Sequence, residues 1–121
     1  MFTAALLDHF KNPRNAGELA DANVRVTASN PVCGDILELA ARVDEGVVRE
    51  VRFLCRGCTA SIACASALTE LILGRELGGL DTITPESLAA SLGGLPTASF
   101  HAATLACDAL LQLRRAGHEL G

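Results

Sequence analysis

Tryptophan and tyrosine are absent from this chain and phenylalanine occurs only four times, so a core has to be built mainly from Leu, Ala and Val. Excess positive charge is lacking too: the formal net charge is −4, which argues against a nucleic-acid binder, since such proteins normally carry a basic face. No apolar run approaches the roughly 20 residues that a membrane-spanning helix requires. The opening stretch from Met1 to His9 has neither a charged leader nor a cleavage site and does not read as a signal peptide. Common enzyme signatures are missing as well, with no P-loop, no G-x-S-x-G and no G-x-G-x-x-G after a strand. Five cysteines is an odd number, and without an export signal disulfide stapling is the weaker reading. Reduced thiols in a cytoplasmic setting are expected, free for metal, sulfur or packing. No internal repeat or linker divides the 121 residues, half of them apolar, and a single domain over 1–121 is expected to bury about two-thirds of its unfolded surface.

What is present reads as a small sheet followed by helices. Thr3 to about Phe10 is a short helix, with Thr3 as N-cap and Leu6, Leu7 and Phe10 on one side. Asn12-Pro13-Arg14-Asn15-Ala16-Gly17 ends it with turn chemistry. Val24 to Thr27 is a first strand. Ile36 to Val43 alternates, with Leu37, Leu39, Ala41 and Val43 on one face and Glu38 and Arg42 on the other. Asp44-Glu45-Gly46 predicts a hairpin, and Val47 to Leu54 returns with Arg49 and Val51 interleaved with Glu50 and Arg52. From Cys58 the period becomes helical through Ile62, Ala65, Leu68, Leu71 and Ile72, and Gly74 suits a stop. Thr84-Pro85-Glu86 starts another helix, ended by Gly93-Gly94. A last helix is expected from about Ser99 to Ala116, with Gly117 as C-cap and Arg114 and Arg115 in its final turn. The fold class expected is α+β: a small three-stranded antiparallel sheet with helices packed on one face.

Ligand-type residues fall beside the breaks in this pattern. Cys33-Gly34-Asp35 lies in a loop, Cys58 stands at a helix start, and His101 enters in the first turn of the last helix. Two thiols, a carboxylate and an imidazole can supply four donors to one zinc ion or one small iron–sulfur cluster. Gly34 permits close backbone approach, and residues two apart across a bend can face one centre. Gly57 frees the backbone before Cys58, and helix starts favour thiolates that bind metal or attack a sulfur donor. Plainer alternatives stand beside each: a buried loop cysteine with an ordinary turn aspartate, a small core cysteine, a solvated histidine. Cys55-Arg56-Gly57-Cys58 is a C-x-x-C, but the βαβ setting of a redox pair is missing. Cys64 shares a stripe with Leu68, Leu71 and Ile72, and Cys107 one with Phe100, Ala103, Leu110 and Leu111, so packing is expected of both. His9 and His118 have weaker claims.

With these residues in place, the chain resembles the IscU/NifU-type iron–sulfur cluster assembly scaffolds over nearly its whole length. Leu7-Asp8-His9-Phe10-Lys11-Asn12-Pro13-Arg14-Asn15-Ala16-Gly17 is similar to that family's N-terminal signature, and Cys33-Gly34-Asp35 to its first ligand motif. Arg52-Phe53 through Gly57-Cys58, with Ala60-Ser61-Ile62-Ala63 and Thr69-Glu70, resembles the second. Leu95-Pro96 followed by His101, Leu105-Ala106 and Asp108-Ala109 resembles the third.

The resemblance implies a non-enzymatic scaffold that receives sulfur from a cysteine desulfurase, holds a labile 2Fe–2S cluster or Zn2+, and passes its cargo to acceptor apo-proteins. Cys33, Asp35, Cys58 and His101 would line that site, with Cys58 the candidate persulfide acceptor. An oxygen ligand matches a soft cluster poorly, which suits a site that must let go. Two departures stand out. Where the family has a third cysteine directly after the histidine, this chain has Ala102. Cys107, five helical positions on, points about 140° away and is no replacement, whereas Cys55 is a candidate stand-in. The family's chaperone-recognition segment carries a basic residue where Ser99 stands, so the implied chaperone interaction lacks its usual handle. SufU-type zinc proteins share the fold but carry an insertion before the last motif and lack the histidine, which puts this chain nearer the scaffolds. The alternatives are a zinc-binding sulfur-relay accessory of a desulfurase, or a diverged zinc-bound regulator that has lost assembly activity through Ala102.

Overall fold

The alternating stretches fold as one antiparallel sheet in the order β1-β2-β3, with β1 at Val24–Ser29, β2 at Ile36–Asp44 and β3 at Val47–Arg56. The computed structural model describes residues 1–120. Four α-helices accompany the sheet: α1 (Ala4–Lys11), α2 (Thr59–Ile72), α3 (Pro85–Ser91) and α4 (His101–His118). Short 3₁₀ turns cover Leu77–Thr82 and Thr97–Ser99 and were not anticipated from the sequence. The expected α+β architecture is present, with α2 and α4 packed on the inner face of the sheet.

Leu37, Leu39, Ala41 and Val43 are all buried, as their alternation requires. Glu45 and Gly46 turn the hairpin with φ of 52° and 74°, the pair of positive values that matches strand twist. The reading of β3 needs correction. Arg42 pairs with Glu50 but Val43 pairs with Val48, so Arg49 is the extra residue of a bulge. The bulge shifts the phase, and Val48, Val51 and Phe53 face the core while Arg49 is exposed.

α2 is buried on nearly every side, because α1, α4 and β3 all pack on it. Its Ala60, Ala63, Ala65 and Ala67 are small enough to let those neighbours approach closely. Thr3 caps α1 by accepting from the Leu6 N–H at 3.0 Å, and its hydroxyl donates to the Leu92 carbonyl. Of the expected apolar stripe on α1, Leu6 is fully buried whereas Phe10 is 37% exposed. Asn12–Gly17 is more than a turn. The Phe53 N–H donates to the Asn15 carbonyl and the Gly17 N–H to the Phe53 carbonyl, both at 2.9 Å, which covers the free edge of β3. α3 starts with the expected Thr84 cap and Pro85. Gly117 does not end α4; it is buried inside the last turn, where a Cβ would lie 2.8 Å from Leu77 Cδ1. Close packing, not a left-handed cap, is what glycine supplies there.

The register sets one end of the sheet for function. Ser29 opposes Ile36, and Ile36 opposes Arg56. The loop entering β2 and the turn leaving β3 therefore lie side by side.

Candidate metal centre

Cys33 and Asp35 are presented by a loop that closes on itself. The Asn30 carbonyl accepts from the Gly34 N–H at 2.7 Å, and the Asn30 N–H donates to the Asp35 carbonyl at 2.8 Å. Gly34 sits at φ +78°, a left-handed conformation, with open space where a Cβ would be. Its role is the turn itself; close approach belongs to Gly57. A Cβ on Gly57 would meet Asp35 Cγ at 2.9 Å and Ser61 Cβ at 3.1 Å. The loop leaves Cys33 exposed and Asp35 6% exposed.

Cys58 is the N-cap residue of α2, in an extended conformation, and its side chain makes no capping bond. Its thiol is exposed and lies 3.3 Å from Ser61 Oγ and 3.9 Å from His101 Nε2. His101 opens α4, and its Nδ1 is 3.1 Å from the Ala98 carbonyl. A carbonyl only accepts, so Nδ1 carries a proton, and in the neutral ring Nε2 holds the lone pair. That lone pair faces the site, with Asp35 Oδ2 also at 3.9 Å.

The ligand atoms of Cys33, Asp35 and His101 all lie within 4.8 Å of one another. Cys58 stands outside that trio and borders it through its Sγ, 3.9 Å from His101 Nε2. Tetrahedral zinc with bonds of about 2.0–2.3 Å separates its ligands by about 3.3–3.8 Å. The Cys33, Asp35 and His101 atoms are therefore slightly wider apart than a closed shell, and two sulfurs, one nitrogen and one oxygen are chemically fit for zinc or for iron in a small cluster. Burial pushes the Asp35 carboxyl up, but the Ser61 hydroxyl, the Cys58 N–H and the thiols of Cys58 and Cys33 bond its charged form and leave it below the usual carboxylate value.

The remaining cysteines lie apart from this set. Cys55 is half-buried in β3 opposite Leu37, and burial pushes its thiol up to about 11. Cys58 is outside the strand and exposed, so the C-x-x-C splits between a packed thiol and an open one. Burial also pushes Cys64 up to about 12 and Cys107 to about 11. Cys64 is fully buried, whereas Cys107 is half-buried and Leu111 is exposed, less buried than their shared stripe suggested. Ala102 is 1% exposed and packs into the core.

His9 belongs to a different network. Its Nδ1 lies 2.8 Å from Ser66 Oγ and its Nε2 3.4 Å from Glu70, while Arg14 reaches Asp8 at 2.5 Å and Glu70 at 3.8 Å. These contacts tie α1 and the following loop to the second half of α2. His118 is exposed near the end of α4. Sequence reasoning missed Ser61 as part of the site. The signal available was its spacing, three residues after Cys58, at a position that commonly serves a helix cap.

The sequence model of the family described as NifU-like N terminal domain matches residues 1–114. The chain is 39% identical over 110 residues to the iron-sulfur cluster assembly scaffold protein IscU 1 of Archaeoglobus fulgidus, covering 91% of this chain and 72% of that one. It is 44% identical over 117 residues to the nitrogen fixation protein NifU of Cereibacter sphaeroides, covering 97% of this chain but 47% of the relative. Among solved structures, the N-terminal part of a NifU-like protein from Brucella abortus superposes with a TM-score of 0.79 at 18% identity, covering 98% and 95% of the two chains. That likeness speaks for the fold. No helix among the described residues is long and apolar enough to cross a membrane.

Proposed function

The chain belongs to the NifU-like N-terminal domain family, and from that membership we propose that residues 1–121 act as one iron–sulfur cluster assembly scaffold domain. The cargo is a labile 2Fe–2S cluster, built from iron, sulfur from a cysteine desulfurase and electrons from a reductant that takes the persulfide sulfur to sulfide, and handed to acceptor apo-proteins. Cys33, Asp35, Cys58 and His101 are its ligands. The observation that carries this reading is the convergence of the Cys33, Asp35 and His101 donor atoms within 4.8 Å, with Cys58 Sγ 3.9 Å from the same imidazole.

Each residue has a task that its geometry supports. Cys58, exposed at a helix start, attacks the outer sulfur of the desulfurase persulfide. The sulfur–sulfur bond there breaks, the donor leaves as a thiolate, and the persulfide now sits on Cys58 with no net oxidation or reduction. His101, with Nδ1–H committed to the Ala98 carbonyl, offers Nε2. Asp35 contributes a hard oxygen among softer ligands, which favours release.

Anaerobic incubation with ferrous iron, cysteine, a desulfurase and a thiol reductant should give a coloured, chelator-sensitive product that Cys33→Ser and Cys58→Ser each lose. A colourless protein, under conditions that load another scaffold, would count against the reading. Ala102 favours a second one. With a buried alanine in place of the third thiol, four donors remain, the number that suits a single tetrahedral zinc ion. In that reading the chain is a zinc-holding sulfur-relay accessory. Stoichiometric zinc in protein purified without chelator, with faster alanine production by the desulfurase and no cluster, decides for it.

A further inference from the structure

Among the residues around the donor set, one buried side chain touches two donors and has no other occupation. Ser61 is 2% exposed, lies on the first turn of α2, and makes no capping bond to its own helix. Its hydroxyl is 2.5 Å from Asp35 Oδ2 and 3.3 Å from Cys58 Sγ. An ionised carboxylate can only accept, so the single hydroxyl proton goes to Oδ2. That oxygen is also the one 3.9 Å from His101 Nε2.

We propose that Ser61 is a positioning residue of the metal site, holding the Asp35 carboxylate with Oδ2 turned toward the other donors. The terminal torsion of an aspartate is broad and chooses its own angle poorly. Here it is set by the Ser61 hydroxyl, which donates to Oδ2. Gly57 makes room, since a Cβ there would press on Asp35 Cγ and Ser61 Cβ alike. Ser61 itself is buried, as are Ala60 and Ala63 beside it in α2. Hydrogen bonds of this kind behind a ligating carboxylate are typically worth about 10–100-fold in metal affinity. The role presupposes that Cys33, Asp35, Cys58 and His101 hold metal.

Zinc affinity measured by competition with a chromophoric chelator tests it on five proteins: the unaltered chain, Ser61→Ala, Ser61→Thr, Asp35→Ala, and the double variant. Ser61→Ala should bind zinc about 10–100-fold more weakly while remaining folded, with a lower metal-free unfolding midpoint because the buried Asp35 carboxylate loses a donor. Ser61→Thr, which keeps the hydroxyl, should recover to within about twofold, and adding Ser61→Ala to Asp35→Ala should cost less than about twofold more. Unchanged affinity in Ser61→Ala overturns the proposal, as does an equal loss in Ser61→Thr or full additivity in the double variant. If the unaltered chain itself binds no zinc and no iron, the metal-site reading fails and takes this role with it.

Discussion

Helices α2 and α3 start with the same spacing, an extended cap residue followed three positions later by a serine, and they use it in opposite ways. At α3 the bonds are local and reciprocal: the Ser87 N–H donates to Thr84 Oγ1 at 3.0 Å, and the Thr84 N–H donates to Ser87 Oγ at 2.8 Å. At α2 the cap residue is Cys58, whose sulfur makes no such bond, and Ser61 turns away to Asp35 at the start of β2. One helix start is closed within four residues; the other is completed by a side chain 26 positions away. A self-satisfied start stabilises a helix and does nothing more. The α2 start is completed by an aspartate from the loop before β2 and keeps a thiol exposed, which is what a site for an inorganic guest needs.

The largest effect that sharpens this contrast is thiol reactivity. At pH 8, iodoacetamide should modify Cys33 and Cys58 first, as the two exposed thiols, with the other three lagging by orders of magnitude. A thiol near 11, such as Cys55, has only about a thousandth of its population ionised at that pH. Peptide mass mapping over time, with and without zinc, reads the order and the protection; early labelling of Cys55 would erase the distinction between inward and outward sulfur. Next comes Gly57→Ala. With Asp35 Cγ 2.9 Å from the new methyl, unfolding should cost about 1–3 kcal/mol less and zinc should bind more weakly. Thermal unfolding with and without metal measures both. Thr84→Ala is expected to lose about 1 kcal/mol through the α3 cap while leaving zinc affinity untouched. Ser61→Ala is expected to lose stability and zinc affinity together, so unaltered zinc binding in Thr84→Ala alone separates the two kinds of helix start.

The smallest effect concerns the second half of α2. Burial, with Arg14 beside it, pushes His9 below its usual 6.5, so the folded state prefers the neutral ring. The unfolded chain then binds more protons just below that value, and stability falls as pH drops from about 6.5 through the folded value. Denaturant midpoints between pH 7.5 and 5 should show this slope, and His9→Gln should flatten it.

Some of this was readable residue by residue. The alternation of Leu37, Leu39, Ala41 and Val43 announced β2, the Glu45-Gly46 pair announced the hairpin, and Thr3 and Thr84 announced two helix starts. Each of these signals acts within a few residues, so pattern alone carries it. Arg49 is different: a bulge is a mismatch between two strands, and neither strand shows it alone. Gly117 resembled a helix stop because glycine often is one, and only the position of Leu77 reveals it as a packing site.

The same division runs through the site. By itself the sequence determined the chemistry on offer, two thiols, a carboxylate and an imidazole set beside structural breaks, because donor type belongs to the residue. Tertiary structure alone decided that Cys33, Asp35, Cys58 and His101 converge, that Cys55 stays packed in β3, and that Ser61 serves Asp35 rather than its own helix. The reason is physical: a ligand set exists only as distances of a few ångströms between distant parts of the chain. Those distances follow from how β2, α2 and α4 bury their apolar faces on one another.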